Sequence, residues 1–242
     1  RILSCHQEPP SVFNVQFPRH HGFGLTPADA AGLLKADKRN RVVVHPFLIG
    51  AEMLTDGVPQ RWVIDFQKMP IIEAQRYDAP FKWVQERVLP HIAGLALAER
   101  EATSKKVGQD QQWLQTWWQH FRCRKELIDS IGRLPRYLAF CEVTKRPIFC
   151  FVDPDIRPDH TLEAVVLSDD FSFGILQSSV HWLWFTNKCS KLTERFRYTP
   201  ESVFDTFPWP QEPSAKEVLA VAEAGREVRR IRADALDKLK GG

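Results

Sequence analysis

Apolar residues recur with a period of two in some stretches and near four in others, and the changes of period mark out the elements. In "SVFNVQF" (11–17) apolar and polar residues alternate, which predicts a strand. "LTPADAAGLLKAD" (25–37) puts Ala30, Leu33 and Leu34 on one helical face, behind Thr26 as N-cap and Pro27 at the first helical position. The β-branched and aromatic runs "RVVVHPFLIG" (41–50) and "RWVIDF" (61–66) predict strands joined by a turn-rich loop at Asp56-Gly57. "MPIIEAQRY" and "APFKWVQERVLPHIAGLALAEREA" have the helical period, with a kink or break at Pro90. "GQDQQWLQTWWQHF" (108–121) reads as helix or loop leading into helix, and "RKELIDSIGRL" (124–134) as another short helix.

Strand patterns return at 137–143, 147–152 and 161–167, with polar connections. A helix is then predicted over 171–189, carrying Ile175, Leu176, Val180, Leu183 and Trp184 into the core. Beyond the proline block at 208–213, residues 214–240 form a long amphipathic helix. Its apolar stripe is Val218, Leu219, Val221, Ala222, Val228, Ile231, Ala235 and Leu239, to dock on the domain or on a partner outside it. There are no internal repeats, and the fold class is α+β.

Composition narrows the function classes. With 242 residues, 43% of them hydrophobic, 8 Trp and 16 Phe, the chain is globular, as one large domain or two modest ones. A net charge of only +3 means that any affinity for nucleic acid comes from local patches. Five cysteines, odd in number and without a C-x-x-C pair, point to a reducing cytoplasm and away from disulfides or zinc. No apolar run is long enough for a membrane span, and no signal peptide is present. The first residue is Arg1, so the sequence reads as a fragment of something longer.

Candidate catalytic motifs fail on inspection. "HHGFGLT" (20–26) holds a lone G-x-G that leads into a helix N-cap, without the third glycine a phosphate loop needs. Asp155 and Glu163 are spaced like the carboxylates of a metal-dependent nuclease, but Val165 stands where the lysine belongs. His20 and His21 are adjacent and diverge on extended chain. Ser178 and Ser179 precede His181 without a nucleophile elbow. The sequence therefore predicts no catalytic residue and no metal.

Five blocks occur in a recognisable order: "VVVHPFLIGAEMLTDGVPQRWVIDF", "EAQRYDAPFKWVQERVLP", "CEVTKRPIFCFV", "DDFSFGILQSSVHWLWF" and "RYTPESVFDTFPWP". Together they resemble the C-terminal part of the MmeI-type (type IIL) single-chain restriction–modification DNA adenine methyltransferases, over roughly residues 11 to 230. The resemblance implies a mixed-sheet target recognition domain with flanking helices over 1–210, and a C-terminal helix over 211–242. In such enzymes a nuclease segment and an S-adenosylmethionine-binding methyltransferase domain precede this part. The chain has neither the N-P-P-Y-type tetrapeptide nor F-x-G-x-G, so it implies a fragment without cofactor that selects the site for adenine-N6 methylation by its parent. The implied partners are double-stranded DNA and the parent's methyltransferase and nuclease portions, with no membrane.

Recognition chemistry assigns candidate roles. Cations position a protein on phosphates, and bidentate side chains read base edges. In "LTERFRY", Thr193, Arg195 and Arg197 share one face if the chain is extended, opposite Leu192, Glu194, Phe196 and Tyr198. Those three, with Arg157, Asp159 and His160 of "DIRPDH", are the expected base contacts. Lys145 and Arg146 of "EVTKRP", with Lys188 and Lys191, are the expected phosphate contacts. Arg195 and Arg197 as plain surface cations is the competing view. Phe204, Phe207 and Trp209 are expected in the core, and Trp117 and Trp118 in packing more than in stacking on bases. The arginines of the last helix alternate with acids, which predicts a solvated face, with phosphate contact as the second reading. A second hypothesis makes the chain a structural clamp, with its long helix packed on the methyltransferase or nuclease part and bases read elsewhere. Convergence of 145–146, 157–160 and 193–197 on one surface favours reading, and scatter favours the clamp.

Overall fold

The computed structural model describes residues 11–102, 107–192 and 195–240. β1 (Val12–Asn14) leads through a 3-10 turn to β2 (Gly24–Leu25), α1 (Pro27–Ala36), β3 (Val44–Leu48), α2 (Gly50–Thr55) and β4 (Arg61–Ile64). Helices follow: α3 (Ile71–Ala74), α4 (Asp78–Arg87), α5 (Leu89–Ala102), α6 (Gln109–Leu114) and α7 (Lys125–Ile131). The later strands are β5 (Tyr137–Cys141), β6 (Val143–Thr144), β7 (Cys150–Val152), β8 (Arg157–Pro158) and β9 (Leu162–Val165). The remaining elements are α8 (Asp170–Gln177), α9 (Ser179–Lys188), the hairpin β10 (Ser190–Leu192) and β11 (Arg195–Arg197), α10 (Pro200–Val203) and α11 (Ala215–Lys240).

The strands form three sheets. An antiparallel sheet runs in the order β1-β9-β5-β7. A mixed sheet runs β2-β4-β3-β8, and β8 pairs parallel to β3. The third, antiparallel, is β10-β11-β6. The architecture is the expected α+β with a long C-terminal helix.

Local chemistry explains the boundaries. Thr26 Oγ1 accepts from Asp29 N, and the Asp29 carboxylate accepts from Thr26 N, a reciprocal cap that opens α1. The helical run across 78–102 breaks at Val88, two residues ahead of Pro90, so it becomes α4 and α5. Ser178 divides the helix predicted over 171–189. Its N–H closes α8 on Ile175 O, and its Oγ accepts from His181 N to open α9. The break shifts the helical phase: Leu176 is buried, whereas Val180 and Leu183 face solvent. Two segments read as loop hold regular structure, α2 between β3 and β4 and β8 within 153–160.

Apolar burial falls into three clusters. One is built from residues 23–121 and contains Trp113, Trp117 and Trp118, so the paired tryptophans are packing groups. A second, around Phe140, Phe149, Phe173, Phe185 and Tyr198, includes Phe204 with Trp209 packed against it. The third joins Leu48 and Met53 to Leu127, Ile131, Tyr137 and Leu162. The helix α11 lies against α8, where Gly174 and Gly225 let the backbones approach. A Cβ on Gly174 would stand 2.7 Å from Val221 O, and one on Gly225 2.9 Å from Asp170 O.

Candidate nucleic-acid interface

In β11 and the residue after it, Phe196 and Tyr198 turn to one side and Arg197 to the other. Phe196 packs edge-on against Phe185, and Tyr198 is fully buried between Phe140 and Phe185. The Tyr198 hydroxyl lies 3.0 Å from His181 Nε2. Burial lowers the His181 pKa to about 4, so the ring is neutral and the pair is a hydrogen bond without charge. With Phe196 and Tyr198 held inside, Arg197 points out, its side chain 55% exposed. Strand alternation thus anchors the segment on one side and frees the other.

Glu142 joins the cation-bearing stretches. Its N–H donates to Thr161 O (3.2 Å), and its carbonyl accepts from Tyr198 N (2.9 Å). Its carboxylate takes both Nε and Nη2 of Arg197 at 2.6 Å. The strand β6 continues from Glu142 and pairs with β11, with Val143 opposite Arg197 and Thr144 opposite Phe196. Lys145 and Arg146 follow in the exposed turn beside the far end of β11. There the Arg146 guanidinium stands 5.5 Å from the Trp182 ring. Asp159 and His160 flank Glu142 from the other direction, because Thr161 sits next to them in the chain.

His160 is half exposed, 2.9 Å from Asp159 Oδ2 and 4.7 Å, ring to ring, from Phe17. It borders two openings. One is a cavity of about 550 Å³ lined by Phe17, His21, Gln60, Arg61 and Trp62. The other is a groove of about 430 Å³ along Ile49, Leu54, Glu142 and Val143.

The expected residues divide as follows. His160 and Arg197 lie on the surface on either side of Glu142, Asp159 is buried just beneath His160, and Lys145 and Arg146 are exposed further along, in the turn after β6. Lys188 closes α9 at the base of the hairpin, 5.0 Å from the Trp184 ring. Lys191 and Arg195 are placed only by register, opposite Phe196 and Leu192 respectively. Thr193 lies outside the described residues.

Arg157 is a correction. Its side chain turns inward, with Nη1 donating to Pro154 O (3.1 Å), Nη2 3.2 Å from His45 Nε2 and Nε 3.4 Å from Asp65 Oδ2. A buried carboxylate draws the guanidinium into the core, and β8 pairs with β3 at that residue. Burial and the Arg157 charge lower the His45 pKa to about 4, so that ring is neutral as well. Position 157 offers no free edge to a base.

Sequence reasoning passed over Glu142 and Val143, because only strand register shows that they lie beside Arg197. Among the described residues no group of three His, Cys, Asp or Glu side chains is placed to hold a metal. No described helix is long and apolar enough to cross a membrane.

Residues 146–211 match the family model of the MmeI target recognition domain. The match bears out the resemblance drawn from the sequence. It begins at Arg146 and takes in the Asp159–His160 turn, the hairpin and its aromatic anchors. Among solved structures the chain is similar to the type IIL restriction–modification enzyme MmeI, solved in complex with DNA, at 22% identity and a TM-score of 0.67. That likeness covers 93% of this chain and 28% of the MmeI chain, and it shows the fold. A comparison with curated protein sequences gives no match.

Proposed function

We propose that the chain reads DNA sequence for a larger site-specific, S-adenosylmethionine-dependent adenine-N6 methyltransferase of the restriction–modification class, in the bacterial cytoplasm. Residues 1–210 serve as the reading domain and 211–242 as its helical closure. The parent's other portions supply the cofactor site, the methyl transfer and any cleavage.

The observation that carries this reading is that Glu142 ties the segment after the 159–160 turn to β11, while the 145–146 turn follows from the same strand β6. Reading needs several loops on one rigid support, and scatter would have favoured a clamp. Arg197 and Arg195 are assigned to base edges, His160 and Thr193 to bases or their immediate surroundings, and Asp159 to holding His160. Lys145, Arg146, Lys188 and Lys191 are assigned to phosphates.

Fluorescence anisotropy with mixed-sequence duplex at about 50 and 200 mM salt tests the phosphate surface, because such contacts lose most of their affinity over that range. Steep loss with salt is expected, and no binding at low salt would overturn the reading for this chain. In the parent enzyme, Arg197→Ala is expected to relax preference at one base pair at a cost of about 1–3 kcal/mol. Equal weakening on every sequence would reassign Arg197 to phosphate. Arg195→Ala is held to the same comparison.

A further inference from the structure

The sequence gives the arginines of α11 a solvated face first and phosphate contact second, but three of them reach the domain: Arg226 and Arg229 pair with Asp170, and Arg232 donates to Cys150 and Met53. The inward stripe of this helix runs through Val218, Ala222, Gly225, Arg229 and Arg232, all less exposed than their neighbours. Arg229 and Arg232 reach a cavity of about 250 Å³ whose remaining walls are Arg146, Ile148, Phe149, Phe173, Gln177 and Val228. Three arginines contribute to the walls of this space, and no Asp or Glu does.

Their pairing leaves positive charge over. Arg232 donates to Cys150 Sγ (2.7 Å) and Met53 O (3.3 Å), both neutral acceptors, since burial raises the Cys150 pKa despite Arg232 beside it. Arg229 shares Asp170 with Arg136 and Arg226, so one carboxylate faces three cations. The Arg229 Nε is buried with no hydrogen-bond partner among the described residues. Arg146 brings the third charge from the turn after β6. Guanidinium groups bind planar or tetrahedral oxyanions, which accept several forked hydrogen bonds at once.

We infer that this cavity is a phosphoryl-binding site built jointly by the 145–146 turn and α11, with a DNA phosphodiester as its occupant. The C-terminal helix then supplies two of the site's three cations and is part of the interface as well as a support. The phosphodiester assignment rests on the DNA reading proposed above, whereas the cavity's affinity for a phosphoryl group does not.

Two measurements on the 242-residue chain separate these points. Titration calorimetry with inorganic phosphate at constant ionic strength is expected to give saturable heat. Arg146→Gln should weaken it at least tenfold, and Arg232→Lys, which keeps the charge but loses the fork, severalfold. Near-ultraviolet circular dichroism checks that each variant keeps the fold. A wild-type titration that cannot be told from chloride, or saturation unchanged in both variants, overturns the site.

In the second arm, Arg146→Gln should reduce the salt slope of duplex binding by about 0.9, the value of one phosphate contact. An unchanged slope with phosphate binding intact overturns the phosphodiester assignment and makes the occupant a free phosphorylated small molecule. If phosphate saturates but duplex binds at no salt concentration, the DNA reading falls and the phosphoryl site stands.

Discussion

Glu163 on β9 is 2% exposed, and its Oε2 has no hydrogen-bond partner among the described residues. Burial, then the charges of Glu142 and Glu201, push its pKa up to about 8. The folded chain therefore holds a proton there that the unfolded chain loses near the ordinary glutamate value. Stability from this group is full below that value and falls as pH rises toward and through about 8. Glu163→Gln is expected to remove the fall, raising stability at pH 9 by about 1–3 kcal/mol while leaving pH 5 nearly unchanged. Thermal melts at both pH values check it, and an equal shift at both would mean a packing effect. At this scale the sequence was only partly legible. Residue types gave candidates for recognition, yet Arg157 and Arg197 look alike in a sequence. What separates them is a fully buried Asp65 beside one and a partly buried Glu142 at the surface beside the other.

The elements were legible wherever a short-range signal fixed them. Thr26, Pro27 and Asp29 announced the start of α1, and the alternation read on the condition of extended chain agrees with β11 at 195–197 and its anchored side. Ser178 was harder, because a serine within an apolar periodic run marks a cap only when its backbone leaves the helical region. The last helix shows the same limit. Its apolar pattern was visible and Val218, Val221 and Ala222 do face the domain, but Leu219, Val228, Ile231 and Leu239 are largely exposed, and further along Gly225 and arginines make the contact. That contact is testable at its tightest point. Gly225→Val places atoms against Asp170 O and Phe173 Cδ1, so α11 should lift from α8 at a cost of about 1–3 kcal/mol. Limited proteolysis should then cut within 215–240 while the remainder resists. Cleavage in both regions alike would show that the helix and domain unfold together.

For the molecule as a whole, α11 is the strap between parts of the chain far apart in sequence. It reaches Asp170 at the start of α8, Cys150 on β7 and the carbonyl of Met53 in α2. Burial pulls the Asp170 pKa upward, but Arg229, Arg226 and Arg136 outweigh it and hold the carboxylate below its usual range. The clasp is thus complete above the ordinary aspartate pKa and is lost as pH falls through the lowered value. Asp170→Asn should release Arg226 and Arg229, destabilising the docked helix by about 1–2 kcal/mol, a figure reduced because the arginines are partly solvated. Amide exchange across 226–236 should quicken severalfold at pH 7, while β5 and β9 keep their protection. Such long-range closure was not legible in the sequence, where periodicity gives a helix its stripe but not the surface that receives it.

The place of this strap in the chain bears on synthesis. Translation delivers residues 146 to 211 before residues 226 to 232, so the hairpin and its aromatic anchors can settle while the last helix is still inside the ribosome. The cavity of three arginines is assembled last. A nascent product that stops short of α11 holds the hairpin in place yet lacks two of those cations, so the proposed grip on an anion arises only once α11 has been made.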